Sequence, residues 1–273
     1  MKTTANIITF NWFNESLTRL VATTRKGRAA LLSGPEGSGV TMTSRYVQAE
    51  WERLEAEVPS GKMGSPRQAV YIALRKDADA LRSMQHVANR ILGPGMPLGW
   101  QLHCVNELAA LISNHIVRAN IGLLIIDRSD LAGDEFVDAL LPLIEDCAVR
   151  NHTLGILMGQ RSEGRTQLQF FQAYDKTRIA YHARLPKLLD PDAMAVLMAL
   201  YPAAAELGAR YAAGDKTAGE FASKLVALSD GRFRLLTEFA DYLNSQAGVS
   251  LSTAKALDNA WKEAFFGERK AAA

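Results

Sequence analysis

The sequence has 273 residues, a net charge of +2 and a composition of 48% apolar and 22% charged residues, all ordinary for a globular protein of one large domain or two modest ones. Its two cysteines, Cys104 and Cys147, have no metal-ligand spacing, which argues against a zinc-finger or disulfide-framework protein. We find neither a secretory signal nor a run of roughly 20 apolar residues that could span a bilayer, so we expect a cytoplasmic protein that does not contact the membrane.

In chain order, short apolar runs alternate with helical patterns. The predicted strands are 29–33, 69–74, 122–126, 154–158 and 179–183. The third lies in the segment IGLLIID, whose lack of alternation is typical of a strand buried on both faces of a parallel sheet. The predicted helices, with apolar residues three and four positions apart, are 14–24, 41–56, 81–92, 105–119 and 136–149. This order predicts an α/β fold with a five-stranded, mainly parallel sheet and flanking helices.

Strand patterns stop at Asp190. The segments 190–202, 217–231, 234–246 and 252–266 are all predicted to be helical. Asp190 and Ser252 are predicted N-caps, and Pro191 suits the first helical position. We therefore divide the chain into an α/β domain, 1–187, and an all-helical domain, 188–273.

The segment GPEGSGVT follows the first predicted strand and opens a helix. A phosphate-binding loop has the pattern GxxxxGK[ST], in which backbone N–H groups and the helix N-terminus surround a phosphate. Gly34, Gly39 and Thr41 fit this pattern, but Val40 stands where the lysine belongs. The predicted nucleotide-binding residues of this loop are Gly34, Pro35, Glu36, Gly37, Ser38, Gly39, Val40 and Thr41. The alternative is a glycine-rich turn without a ligand.

A second candidate, Asp127, ends the apolar segment IGLLIID. An acidic residue at this place, downstream of a phosphate loop, is typical of the aspartate that holds Mg²⁺, and Thr41 would be the second metal-binding residue. The alternative is a turn or cap aspartate. In a hydrolytic enzyme the next residue is a glutamate that orients water, whereas here it is Arg128, which cannot accept a proton.

Basic residues give a weaker indication of DNA contact. The densest cluster is TTRKGR, residues 23–28, and Lys62, Arg67, Arg75 and Lys76 are further candidates. Solvated surface charge is the alternative explanation.

Together these segments resemble the AAA+ ATPase family, and within it the transposition regulators TniB, TnsC and MuB, from about Phe10 to Phe266. IDRSDLA stands where those proteins have a pattern like IDEADRL. GILMGQ puts Gln160 at the sensor 1 position, AYDKTRIAYHARLP puts Arg178 at the arginine finger, and DGRFRLL puts Arg234 at sensor 2. The resemblance implies ATP and Mg²⁺ as ligands, strand order 5-1-4-3-2 and a helical lid. It also implies catalytic roles for Gln160 and Arg178, and nucleotide binding by Asp127 and Arg234.

Val40 and Arg128 depart from the family pattern. Loss of the lysine costs roughly 10- to 150-fold in affinity, and loss of the glutamate ~10²- to 10⁴-fold in rate. We therefore predict a pseudo-ATPase that binds nucleotide weakly or not at all. It would act as a DNA-binding regulator or adaptor in transposition or a related DNA-handling system. Its expected partners are AAA+ subunits in a homo- or hetero-oligomer, and a transposase or targeting protein.

Two alternatives stay open. The first is an active ATPase that uses a different basic residue in place of the lysine and a displaced acid such as Asp130 or Asp134. The second is a nucleotide-free AAA+ scaffold that is kept for its interfaces.

Overall fold

The structure, a computed structural model, describes residues 11–57, 66–75, 79–93, 104–132, 134–161, 179–246 and 251–267. The described strands are β1 (Ala29–Gly34), β2 (Gln68–Ala73), β3 (Ile121–Asp127), β4 (Gly155–Arg161) and β5 (Ile179–Arg184). They form one sheet in the order β2-β3-β4-β1-β5, and every pair is parallel. The predicted fold class and strand order are confirmed, and the strand ends lie within one residue of their predicted positions except at the end of β4, which runs three residues further than predicted.

The helices that precede residue 150 flank this sheet. They are α1 (Asn11–Arg25), α2 (Val40–Ala56), α3 (Ala80–Leu92), α4 (Val105–Arg118), α5 (Asp134–Leu140) and α6 (Pro142–Val149). The sequence predicted a single helix over 136–149, and that prediction is wrong. The helix is broken at Leu141 because Pro142 has no backbone N–H and its ring disfavours a continuous helix.

The described residues fall into two compact units. One contains Trp12–Gly34 and Val40–Leu185, and the other contains the loop Pro35–Gly39 and the chain from Pro186 onward. In the first unit, alternate residues of each strand supply two apolar layers. Ile126 packs with Phe136 and the other buried residues of α3 to α6 on one face. Ile125 packs on the other face with Trp51 of α2.

Glu55, near the end of α2, is buried and binds two arginines. Arg67 donates to both of its carboxylate oxygens, over 3.0 and 2.7 Å, and the Nε of Arg25 lies 3.4 Å from Oε1. Burial acts to raise the pKa of Glu55, but the hydrogen bonds and charge of Arg67 outweigh it and the pKa is lowered. Arg25 and Arg67 were candidate DNA contacts from the sequence. Through their shared partner Glu55 they instead link α1 and the start of β2 to α2. Lys62 and Lys76 lie outside the described residues.

The described part of the C-terminal chain is helical. It contains α7 (Asp190–Leu200), α8 (Ala205–Ala212), α9 (Lys216–Ser229), α10 (Phe233–Ser245) and α11 (Ala254–Phe266). The sequence did not predict α8. The rings of Phe239 and Trp261, 4.8 Å apart, pack α10 against α11. The domain boundary at 187/188 stays a prediction.

Both predicted N-caps differ in the structure. Leu189 precedes the first residue of α7, and Asp190 accepts a hydrogen bond from Ser223 at 2.5 Å instead of capping. Thr253, not Ser252, caps α11, its Oγ1 accepting from the Ala256 N–H at 3.2 Å. Among the helices that the structure describes, none is long and apolar enough to cross a bilayer.

Candidate functional site

The glycine loop joins β1 to α2 in a conformation that needs glycine. Gly37 and Gly39 have φ values of 78° and 96°, a region that residues with a side chain rarely adopt. The Ser38 N–H donates to the Pro35 carbonyl at 3.1 Å and closes the turn. A Cβ added to Gly37 would also lie 3.3 Å from Cβ of Arg232. This strand–loop–helix arrangement is the one that the phosphate-loop pattern predicted.

The compact unit that contains the glycine loop also contains α10, and the beginning of α10 contacts the loop. The backbone N–H of Arg234 donates to the Gly37 carbonyl at 3.1 Å. Its side chain is largely exposed and binds Glu238 over 2.7 Å. Glu238, and more weakly Glu36, raise the pKa of Arg234. The structure thus brings the predicted nucleotide-binding arginine beside the loop, while its role stays a prediction.

Asp127 lies at the end of β3 and is 2% exposed. Its Oδ2 accepts hydrogen bonds from the Thr41 hydroxyl at 2.8 Å and the Tyr71 hydroxyl at 2.5 Å, and Oδ1 accepts from the Arg128 N–H at 3.0 Å. The pairing of Thr41 with Asp127 joins the two predicted metal-binding residues. Three donors therefore hold the carboxylate.

Tyr71 was not among the residues predicted from the sequence. It lies in β2, which pairs with β3 so that Tyr71 is level with Ile125, two residues before Asp127. Because the carboxyl ends of parallel strands meet at one edge, a hydroxyl late in a strand next to β3 was the signal that could have found it. Burial, and then the bond to Asp127, raise the pKa of Tyr71, so the phenol keeps its proton and acts as a donor.

Two arginines place positive charge near Tyr71. The guanidinium of Arg45, one turn beyond Thr41 in α2, stacks on the Tyr71 ring with Cζ 3.3 Å from the ring centroid. Arg128 is exposed, and its positive charge, like that of Arg45, acts to lower the pKa of Tyr71. Neither guanidinium forms an ion pair with any residue in the described ranges.

Arg128 also has an unusual backbone. Its φ of 59° and ψ of 40° lie in the left-handed region, which costs a residue with a side chain about 1–2 kcal/mol. Its N–H binds Asp127, and its carbonyl accepts from the Leu131 N–H at 3.0 Å. These two hydrogen bonds fix the backbone of the residue that directly follows Asp127.

Val40, the residue in the place of the lysine, packs within the α2-side apolar layer. A Cβ added to Gly159 in β4 would lie 3.2 Å from Cγ1 of Val40 and 3.1 Å from Oδ1 of Asp127. Glycine at 159 therefore leaves the space that both side chains use.

Gln160, predicted at the sensor 1 position, is 1% exposed, and neither atom of its amide group has a hydrogen-bond partner among the described residues. It is level with Ser33 of β1, whose hydroxyl lies 2.7 Å from Nε2 of His182 in β5. Burial, and then the charge of Arg184, lower the pKa of His182, so the imidazole is neutral at pH 7. An unpaired buried amide costs about 1–3 kcal/mol, which marks Gln160 as a position that a ligand or water could satisfy.

The side chains around Asp127 do not fit Mg²⁺. Magnesium is bound through carboxylates that direct free oxygen lone pairs at the ion or at its waters. Here one carboxylate accepts three hydrogen bonds, and its charged neighbours are cations. Within the described ranges, no group of three or more His, Cys, Asp or Glu side chains could hold a metal.

Of the remaining candidates, Asp130 accepts a hydrogen bond from the Arg161 N–H at 3.2 Å, and Asp134 is the first residue of α5. Arg178, the predicted arginine finger, lies outside the described residues.

A parallel sheet in the order β2-β3-β4-β1-β5, with a glycine loop after β1 and a helical C-terminal region, is the AAA+ type of α/β fold. Solved structures with this fold are similar to the chain. CDC6P from Pyrobaculum aerophilum has a TM-score of 0.63 at 14% identity, over 97% of this chain and 70% of that one. The Aeropyrum pernix ORC2 protein, solved as ADPNP-ADP complexes, has 0.61 at 12%, over 92% and 66%. The Aeropyrum pernix ORC1 protein, solved in complex with DNA, has 0.51 at 16%, over 83% and 62%.

The chain thus spans about two thirds of the length of these proteins, and at such identities the similarity is one of fold. No family model matches the sequence, and no curated protein matches it.

Proposed function

We propose that the chain is a degenerate AAA+ protein that binds a nucleoside triphosphate weakly at its glycine loop and hydrolyses little or none of it. The observation that carries this proposal is the pair Asp127 and Arg128. The carboxylate keeps its hydrogen bond to Thr41, but the next side chain is a guanidinium. A guanidinium cannot take a proton from water, so a general base is lacking at this position.

The alternative of an active ATPase has weaker support. One carboxylate oxygen of Asp130 already accepts a hydrogen bond from the Arg161 N–H at 3.2 Å, so it is engaged within the protein. The scaffold alternative stays open until nucleotide binding is measured. A magnesium ion at Thr41 and Asp127 stays a prediction, against which the hydrogen bonds of Asp127 argue.

We further propose that the protein serves DNA handling, as a regulator or adaptor in transposition or a related system, within an oligomer of AAA+ subunits. The fold shared with the ORC and CDC6P structures supports this role. So do Lys26 and Arg28, which are exposed and form no ion pair with a described residue. Lys26 and Arg28 precede β1 and so lie at the amino ends of the parallel strands, whereas Arg75 follows β2 and lies at their carboxyl ends. DNA contact would therefore involve the residues at one end of the strands, either Lys26 and Arg28 or Arg75, and not both groups.

Calorimetry with ATP and a sensitive turnover assay test the proposal together. We expect saturable binding in the micromolar to millimolar range and turnover far below ~1 s⁻¹. An ordinary rate that co-purifies with the protein would contradict the pseudo-ATPase proposal, whereas no binding would favour the scaffold.

A further inference from the structure

The hydrogen bonds of Asp127 determine how well its carboxylate could bind a magnesium ion. Oδ2 accepts from two hydroxyls, those of Thr41 and Tyr71, and Oδ1 accepts from the Arg128 N–H. A threonine hydroxyl can donate to the aspartate and still offer a lone pair to a metal. The Tyr71 hydroxyl is different, because it takes up acceptor capacity that the waters of a magnesium ion would need.

Arg45 and Arg128 supply charge at the same place. Arg45 stacks on the ring whose hydroxyl binds Asp127, and Arg128 is the residue that follows Asp127. A Mg²⁺ ion at this carboxylate would lie near two permanent cations, which repel it. A phosphate group would instead be attracted, and a guanidinium binds phosphate through paired N–H donors.

We infer that this protein binds the polyphosphate of a nucleotide without magnesium, with Arg45 and Arg128 supplying the positive charge. The inference rests on the proposed nucleotide binding and concerns how the phosphate charge is balanced. In an ordinary P-loop site a lysine, an aspartate, a glutamate and a divalent ion together leave one net positive charge. Arg45, Arg128 and Asp127 leave the same net charge with no ion.

Calorimetric titration of the full chain with ATP, in excess EDTA and in millimolar MgCl2 at matched ionic strength, tests the inference directly. We expect dissociation constants that agree within about 3-fold between the two buffers. Arg128→Gln and Arg45→Gln should each weaken binding in EDTA by about 10-fold or more. The matched control is Arg53→Gln, because Arg53 lies in the same helix with its guanidinium bound to Glu50 and Glu57.

The Tyr71→Phe substitution should make ATP binding depend on magnesium. Removal of the hydroxyl frees one acceptor position of Asp127, so ATP binding by this variant should become tighter in magnesium than in EDTA by about 10-fold. If Tyr71→Phe stays insensitive to magnesium, the role given to Tyr71 is wrong.

The wild-type protein alone decides the main point, whether or not the variants fold. Binding in magnesium but not in EDTA would overturn this inference and leave the proposed nucleotide binding intact. Binding in neither buffer would overturn both.

Discussion

The Tyr71 hydroxyl of β2 donates to Asp127 Oδ2 of β3 over 2.5 Å, and the ring of the same tyrosine carries the Arg45 guanidinium. Tyr71→Phe removes this hydrogen bond to a buried carboxylate and little else. We expect the free energy of unfolding to fall by about 1–2 kcal/mol in urea denaturation. The control is Tyr46→Phe, because the structure describes a ring contact with Phe13 but no hydrogen bond for the Tyr46 hydroxyl. Equal losses in the two variants would contradict a stabilising role for the Tyr71 bond.

The left-handed backbone of Arg128 predicts an order of stability between two substitutions. Glycine adopts a φ near 59° without steric cost, whereas alanine keeps the cost of a Cβ. Arg128→Gly should therefore unfold with a free energy about 1 kcal/mol higher than Arg128→Ala in parallel denaturant titrations. Both variants lack the guanidinium, so their difference reports the backbone. An alanine variant as stable as the glycine variant would show that residue 128 is unstrained.

Glu55 predicts a dependence of stability on pH. Its folded pKa is lowered, so its ionised form stabilises the fold above the unfolded value near ~4.3, and this contribution is lost as pH falls through the folded pKa. Glu55→Gln should cost about 2–4 kcal/mol at pH 7, because Arg25 and Arg67 lose their acceptor charge. The difference between wild type and variant should shrink below about pH 4.5. Glu52→Gln, an exposed change in the same helix, is the control. A difference that stays constant down to pH 3 would refute the assignment.

Two substitutions should restore hydrolysis where one does not. Val40→Lys alone should tighten ATP binding by roughly 10-fold or more without appreciable turnover, since Arg128 still occupies the water-orienting position. Val40→Lys combined with Arg128→Glu removes one of the two cations that repel magnesium at Asp127 and adds a carboxylate there, so this variant should give measurable phosphate release in millimolar MgCl2. Because Val40 packs beside Gly159, we expect the lysine to lower stability as well, and circular dichroism melts are the necessary companion measurement. A double variant that is folded, binds ATP and releases no phosphate would mean that the site lacks more than these two groups.

Arg178 immediately precedes β5 in the sequence, and we predict that it acts on a neighbouring subunit. Arg178→Ala should weaken self-association or hetero-assembly without lowering the melting temperature, because a guanidinium offered to another chain contributes little to its own fold. Sedimentation velocity with and without nucleotide and DNA measures this. The control is Arg19→Ala, a surface arginine paired with Glu15. A protein that is monomeric under all of these conditions would remove the basis for the prediction.

The three inner strands, β1, β3 and β4, could be predicted because burial on both faces leaves a continuous apolar run. The pairing of Thr41 with Asp127 followed from the loop pattern and the end of that strand. Tyr71 could have been found from the implied strand order, which places β2 beside β3. Arg45 and the packing of Val40 against Gly159 could not be predicted, since they depend on the face that α2 turns to the sheet. The two N-cap predictions were wrong for different reasons. α7 begins at Asp190 itself, so Leu189 precedes it and no side chain caps it, whereas at α11 the neighbouring Ser252 and Thr253 both carry a hydroxyl able to cap.

Asp127 also holds the edge strand β2 against β3. Its backbone carbonyl accepts a hydrogen bond from the Leu74 N–H at 3.0 Å, just after β2, and its carboxylate accepts one from Tyr71 within β2. Replacement of this aspartate, the usual way to inactivate a nucleotide site, would leave the hydroxyls of Tyr71 and Thr41 without an acceptor and loosen β2. A loss of binding in such a variant would mix two causes, a missing charge and a displaced strand. Arg128→Gln leaves those bonds in place and is the cleaner genetic probe of ligand binding in cells.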